Sequence, residues 1–158
     1  MSKKKGQPKS AKMSRDTRNM IMLTGNPIWR AFAKKDPVSE KTQTSIGLAA
    51  RKALYALTNG DGRFEHFKEL LVSAYAGIHL AELGYGQDLL GDFNAALAVI
   101  LERYARAVDG HEYSLSENEA HRVDELLVLH EQQVQMADRA ELAAALVESY
   151  RQVATVVT

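Results

Sequence analysis

The spacing of the apolar residues constrains the fold of this chain more than any other feature of its sequence. Between Ile46 and Val153, apolar side chains recur at every third or fourth position in five successive stretches, as they do on the buried face of a helix. No run in which apolar and polar residues alternate is present to predict a sheet. The last of the three prolines is Pro37, so no proline interrupts these stretches. The pattern predicts five long helices.

Start and stop signals for helices separate the five stretches. A capping residue before a proline, a capping box or an Asp with a Glu three residues later predicts a start, and a glycine after the last apolar residue predicts a stop. The predicted starts lie at Asn26-Pro27, Asp36-Pro37, Asp61, Ser116-Glu119 and Asp138-Glu141. The predicted stops lie at Asn59-Gly60, Leu83-Gly84 and Asp109-Gly110. Two starts only ten residues apart imply a short helix over about residues 27–34.

These signals together predict an all-α fold. We expect a single up-and-down bundle of about five longer helices and one short one over residues 26–158, because long helices with short connections pack as antiparallel neighbours. We expect residues 1–25 to form a basic, flexible N-terminal arm, because their composition through Lys12 is typical of disorder. A length of 158 residues agrees with one folded domain.

Composition excludes several classes of protein. The chain has no cysteine, which excludes disulfides, thiolate metal sites and cysteine nucleophiles. The basic start is not followed by the apolar core of a signal peptide, and no stretch approaches the length of a membrane span. We therefore expect a soluble, cytoplasmic protein.

Charge divides the chain by position. Residues 1–35 hold ten Lys or Arg and one acidic residue, a net charge of +9, whereas residues 36–158 hold ten Lys or Arg and nineteen acidic residues, a net charge of −9. A cationic arm on an acidic body typically engages an anionic partner. We therefore expect a non-enzymatic binding protein whose arm contacts nucleic acid or a ribonucleoprotein and whose helical body contacts protein.

Two groups of residues form the predicted nucleic-acid interface. The first is a run of cations that can contact phosphates without reading bases. The second places Trp29 beside three cations, a combination suited to stacking on an unpaired base. The candidate residues are Lys3, Lys4, Lys5, Lys9, Lys12, Arg15, Arg18, Trp29, Arg30, Lys34 and Lys35. The alternative interpretation is a solubilising tail, with Trp29 packed on the bundle.

Motifs for catalysis or for metal binding are missing from the sequence. None of the five histidines follows a Glu at the spacing of di-iron bundles, and the glycine-rich residues 84–91 follow a helix and lack the lysine of a phosphate-binding loop. We predict no enzyme, metal or cofactor. His121 is interpreted as a surface ion-pairing residue and His130 as a core-edge residue bonded to a carbonyl. An enzyme would need a site built from His121, Asp124, Glu125 and His130.

The helices predicted after Asp61 and around Leu89 carry apolar residues on more than one side. We expect both helices to lie at the centre of the bundle or to be shared with a second copy, and we predict a two-fold symmetric homodimer. The alternative function is a phage- or plasmid-encoded protein inhibitor of a host complex, for example of a defence system, that acts through the acidic helical surface.

The order of several short motifs resembles that of a family of small all-helical proteins of unassigned function from proteobacterial genomes and mobile elements. The motifs are Asn26-Pro27, Arg51-Lys52-Ala53-Leu54, Glu82-Leu83-Gly84-Tyr85-Gly86, Leu129-His130-Glu131-Gln132-Gln133 and Arg139-Ala140-Glu141. The resemblance covers about residues 26–152 and implies a bacterial, cytoplasmic protein in the company of mobile elements. Members of the family are sometimes labelled transcriptional regulators, and the resemblance implies no catalytic residue.

Overall fold

Five α-helices and one short 3-10 helix make up the described part of the chain, residues 36–158 of a computed structural model. The helices are α1 (Glu40–Thr58), α2 (Phe64–Glu82), α3 (Leu90–Val108), α4 (Glu117–Met136) and α5 (Arg139–Val156), and the 3-10 helix Gln87–Leu89 leads into α3. Between residues 36 and 158 no strand forms, and one isolated antiparallel bridge joins Pro37 to Asp138. The predicted all-α bundle with five long helices is confirmed. The short helix predicted over residues 27–34 lies outside the described residues.

The start predicted at Asp36-Pro37 is wrong by one helical turn. Ser39 is the N-cap of α1, because its hydroxyl accepts from the backbone N–H of Thr42 at 3.2 Å. Pro37 is held in the bridge to Asp138 and therefore cannot open the helix. The proline serves instead to fix the chain before α1.

The start predicted at Asp61 is also displaced. α2 begins at Phe64, after the N-cap Arg63, whose backbone N–H donates to Nδ1 of His66 at 3.0 Å. A Cβ atom at Gly62 would overlap the carbonyl oxygen of Tyr113, so the chain passes against this loop before the helix can start. The displaced start of α2 is thus caused by a tertiary contact, and no capping signal in the local sequence predicts it.

The other helix ends lie where the sequence predicts them. The three stops end in a glycine with positive φ, and at Gly84 (φ 107°) the N–H of Tyr85 returns to the carbonyl of Leu80 at 2.9 Å. At the start of α4, Ser116 and Glu119 exchange hydrogen bonds of 3.3 and 3.1 Å. At the start of α5, Asp138 accepts from the N–H of Ala140 at 3.1 Å.

α2 is the central helix of the bundle. It contacts each of the other four long helices and buries residues on all sides. Gly77 allows a close approach of α3, because a Cβ atom at this position would collide with the ring of Phe93. The buried residues of α2 are Phe67, Leu70, Leu71, Val72, Ser73, Ala74, Ala76, Gly77, Leu80 and Ala81. The central position predicted for this helix is therefore correct.

Of the two alternatives expected for α3, a central position or a face shared with a second copy, the structure does not show the first. Its buried residues follow a single stripe and face α2, namely Phe93, Ala96, Leu97, Ile100, Tyr104 and Ala107. Leu90, Val99 and Leu101 are half-buried beside this stripe, and Val108 is 58 % exposed. The apolar residues outside the stripe thus give α3 a second, partly open side. No helix in residues 36–158 is long and apolar enough to cross a membrane.

Candidate functional site

The eleven residues of the predicted nucleic-acid interface lie outside the described part of the chain. All of them precede Asp36, from Lys3 to Lys35. The structure does describe where this segment joins the bundle, which surfaces surround the junction, and how charge is distributed over them. These features define the candidate site.

The junction between the arm and the bundle is fixed by backbone hydrogen bonds. The N–H of Arg139 donates to the carbonyl of Asp36 at 2.9 Å, and Pro37 pairs with Asp138. Val38 is buried, and its carbonyl accepts from Nε2 of Gln43 at 2.9 Å. The described part of the chain therefore begins at the corner between α4 and α5.

The solvent face of α1 is basic and aromatic. Lys41, Leu48, Lys52 and Tyr55 follow spacings of seven, four and three residues, which places them on one side of the helix. All four are exposed, and Tyr55 is 66 % exposed. The only acidic residue of α1 is Glu40, in its first turn. Within α1 the face thus presents cations and a ring without a carboxylate, and Glu117 and Asp124 of α4 lie beside its Tyr55 end.

Arg51 joins α1 to α4 through two carboxylates. Its Nε donates to Oε1 of Glu131 at 3.0 Å, and its Nη1 contacts Oδ1 of Asp124. Partial burial would lower the pKa of Arg51, but the hydrogen bond and charge of Glu131, with those of Asp124, outweigh it and raise that pKa. The guanidinium therefore stays charged and is committed to α4 rather than to a ligand.

A groove of about 520 Å³ separates the middle of α4 from the first half of α3. Its floor is apolar, with Ala95 and Ala96 from α3 and Leu126, Val128 and Leu129 from α4. Its rim carries three carboxylates and one cation, namely Asp92, Asp124, Glu125 and Arg122. We name this feature the α3–α4 groove.

Arg103 and Glu119 tie α3 to α4 near the loop that joins them. Nε and Nη2 of Arg103 donate to the two carboxylate oxygens of Glu119 at 2.5 and 2.6 Å, a bidentate pair. The hydrogen bonds from Arg103 are the main cause that lowers the pKa of Glu119 to about 2, and the N-cap Ser116 adds to the effect. The pair remains ionised at neutral pH and fixes the spacing of the two helices beside the α3–α4 groove.

A buried polar network lies beside the junction between the arm and the bundle, where the N–H of Asp138 donates to the hydroxyl of Tyr85 at 3.2 Å. Gln133 is fully buried, and its Nε2 donates to the carbonyls of Gly77 at 2.9 Å and Tyr85 at 2.8 Å. Its Oε1 therefore faces Nδ1 of His130, 3.2 Å away, and accepts from it. The hydroxyl of Tyr85 donates to Glu141 at 2.5 Å, and burial, together with this bond, raises the pKa of Tyr85.

His130 is buried more deeply than a core-edge residue, and its partner is a side-chain amide rather than a backbone carbonyl. Because Nδ1 carries the proton given to Gln133, the neutral ring leaves Nε2 unprotonated, and Nε2 has no hydrogen-bond partner among the described residues. Burial lowers the pKa of His130, which favours this neutral form. The histidine is a structural member of the core.

The four residues that an enzymatic site would require are not brought together. His121 pairs with Glu125 one turn away at 3.3 Å, which confirms its predicted role on the helix surface. Asp124 pairs with Arg51, and His130 with Gln133. Over residues 36–158, no three His, Asp or Glu side chains form a group that could hold a metal ion.

Sequence reasoning missed Arg51, Gln133 and the α3–α4 groove. Gln133 lies three residues after His130 on the buried face of α4, so a pair of polar residues on an apolar face was an available signal. No comparable signal marks Arg51 or the groove, because both depend on residues from separate helices.

No protein-family model, curated protein or solved structure matches this chain.

Proposed function

We propose that this chain binds nucleic acid, free or within a ribonucleoprotein, through its basic arm and the solvent face of α1. The observation that carries the proposal is the charge split, +9 over residues 1–35 and −9 over residues 36–158. Cations of such a basic arm can neutralise phosphates without reading sequence. The acidic body supplies the surface for protein contacts.

The charge of the individual helices supports this assignment. α1, which follows the arm, has three basic residues and one acidic residue, whereas α4 has one basic and five acidic residues. Lys41 and Lys52 continue the positive charge of the arm onto the bundle, and Tyr55 offers a ring for an unpaired base one turn beyond Lys52. An extended anion would meet α1 and would be repelled by α4.

The test measures binding of a single-stranded oligonucleotide to the full-length chain over a salt series. The plot of log K against log salt has a negative slope. If the seven arm cations from Lys3 to Arg18 all contact phosphates, their replacement by glutamine makes that slope shallower by about 5, at roughly 0.7 per contact. Lys41→Gln with Lys52→Gln makes the slope shallower by about 1.4. Lys68→Gln with Arg151→Gln removes equal charge from other helices and leaves the slope unchanged.

Equal slopes for the wild type and the arm variant would refute the proposal. The second candidate function, a protein inhibitor, is supported by the concentration of carboxylates on α4. It requires a stoichiometric protein complex that survives nuclease treatment and weakens when exposed carboxylates of α4, such as Glu117, are neutralised. Arm-dependent binding of the oligonucleotide without such a complex would favour the first function.

We also propose that two copies associate through the outer face of α5. Exposed apolar residues recur on this face at spacings of three and four, as in a coiled-coil seam. They are Ala140, Ala143, Val147, Tyr150 and Ala154. Val147 and Tyr150 are 61 % and 59 % exposed, and α5 has two acidic and two basic residues, so its charges do not oppose pairing.

Val147→Glu is expected to convert the dimer to a monomer, because it places a charge at the centre of the paired face. Light scattering should fall from about twice 17.5 kDa to 17.5 kDa. Val108→Glu, on α3, changes a similarly exposed valine and should leave the dimer intact. A wild-type mass of 17.5 kDa at micromolar concentration would disprove this assembly.

A further inference from the structure

We propose that residues 12–23 of the basic arm dock in the α3–α4 groove of their own chain. The groove and the segment match in two respects, an apolar centre and opposite charge. The docked arm is withheld from external anions, so the groove regulates the arm. The docking itself is independent of the proposed nucleic-acid function, and only its regulatory consequence rests on that function.

The groove has the chemistry of a site for a basic, partly apolar segment. Its floor consists of alanine and branched side chains, including Val128, which is 40 % exposed. The rim has a net charge of −2 from Asp92, Asp124, Glu125 and Arg122. Asp124 is engaged by Arg51, whereas Asp92 is exposed and has no ion-pair partner within residues 36–158.

The segment Lys12–Leu23 carries the complementary features. It holds three basic residues and one acidic residue, a net charge of +2, and ends in Met20-Ile21-Met22-Leu23. This tetrapeptide is the only run of four large aliphatic residues in residues 1–35. The apolar run would cover the floor while Arg15 and Arg18 reach the carboxylates of the rim.

The length of chain before Asp36 is sufficient for the segment to reach the groove. Asp36 is bonded to Arg139, the first residue of α5, and Leu129, the groove residue nearest the end of α4, lies seven residues before Met136, about 10 Å along the helix axis. The thirteen residues from Leu23 to Asp36 can span about 43 Å. An occupant tethered at this distance also has a local concentration in the millimolar range.

Charge argues against the other occupants. Nucleic acid would meet the acidic rim of the groove, and the groove of a second copy would bring two acidic rims together. A basic segment is favoured, and residues 1–35 hold half of the Lys and Arg of this chain. Electrostatic complementarity of this kind fixes the partner and the register of a contact.

The test uses the absence of cysteine from the chain. Thr24→Cys provides a single attachment site for a nitroxide spin label beside the docking segment of the full-length protein. In the isotope-labelled chain, the label should broaden the amide signals of Ala95 and Val128 in the groove. The amide of Val147, on the outer face of α5, serves as the reference signal and should keep its intensity.

Charge reversal on either side separates docking from chance proximity. Asp92→Lys with Glu125→Lys should restore the groove signals to full intensity, and so should Arg15→Glu with Arg18→Glu. The combination of both pairs exchanges the charges and should bring the broadening back. Asp61→Lys with Glu112→Lys changes two exposed loop acids by the same charge and should leave the broadening unchanged.

Three results would overturn the proposal. The first is a wild-type spectrum in which the groove signals keep their intensity, and the second is broadening that survives both charge reversals. The third is broadening of an isotope-labelled chain by a separate spin-labelled chain, because this places the arm in another copy. None of these results depends on nucleic acid, so each is distinguishable from failure of the proposed function.

The regulatory consequence has its own measurement. Docking multiplies the apparent affinity for an oligonucleotide by the fraction of arm that remains free. If nine-tenths of the arm is docked, the apparent affinity is therefore about tenfold lower. The rim variant Asp92→Lys with Glu125→Lys should therefore bind more tightly than the loop variant of equal charge. Equal affinities of the two variants would show that the groove does not control the arm.

Discussion

Replacing Gln133 with leucine is expected to lower the free energy of unfolding by about 3–5 kcal/mol. The side chain is fully buried and satisfies three groups at once: two backbone carbonyls, at Gly77 and Tyr85, and Nδ1 of His130. Leucine has a similar size, so it keeps the volume filled but leaves the three groups without this partner. Each buried group that loses its partner costs about 1–3 kcal/mol, and the Gly77 carbonyl less because it lies within α2.

Urea unfolding followed by circular dichroism at 222 nm measures this loss. Gln132→Leu is the matched control, because Gln132 precedes Gln133 on the same helix and is only half-buried. The control should change the unfolding free energy by less than about 0.5 kcal/mol. If Gln133→Leu were no more destabilising than the control, the network would not hold α4 to α2.

Replacing Phe67 with alanine is expected to lower the free energy of unfolding by about 3–5 kcal/mol. Phe67 is fully buried on the central helix α2, and its ring lies 6.2 Å from the ring of Tyr104 and 6.1 Å from that of Tyr113. Removal of the ring opens a cavity between α2, α3 and the loop before α4. Neighbouring helices are held on several sides and cannot collapse into it.

Phe64→Ala provides the control within the same helix. Phe64 also faces Tyr104, at 5.8 Å between ring centroids, but it is only partly buried and lies at the first residue of α2. Its replacement should lower the free energy of unfolding by about 1–2 kcal/mol, because less apolar surface becomes exposed to water and the first turn of α2 can relax. Equal losses from the two variants would mean that α2 is not the centre of the core.

Helix type and most helix ends were predictable because their causes are local. The spacing of Leu126, Leu127, Val134 and similar residues marks a buried helical face, and Ser116, Asp138 and Gly84 act on backbone groups within a few residues of themselves. The two displaced starts fail for the opposite reason. Pro37 and Gly62 are held by Asp138 and by the loop at Tyr113, which are distant in sequence.

The candidate site divides in the same way. The charge split between the arm and the body is a property of the sequence alone, and the prediction of an anionic partner rests on it. The acidic rim and apolar floor of the α3–α4 groove combine Asp92 and Ala95 with residues of α4 about thirty positions later. No periodicity within one helix records which neighbour that helix will face.

The sequence by itself determined that five helices form, where most of them end, and that charge separates the arm from the body. The tertiary structure alone decided that α2 is central while α3 buries a single stripe, that Arg51 joins α1 to α4, and that Gln133 bonds to α2. The physical reason is range. Caps and amphipathic faces act over one or two helical turns, whereas these pairings join residues up to 80 positions apart and exist only once the helices pack.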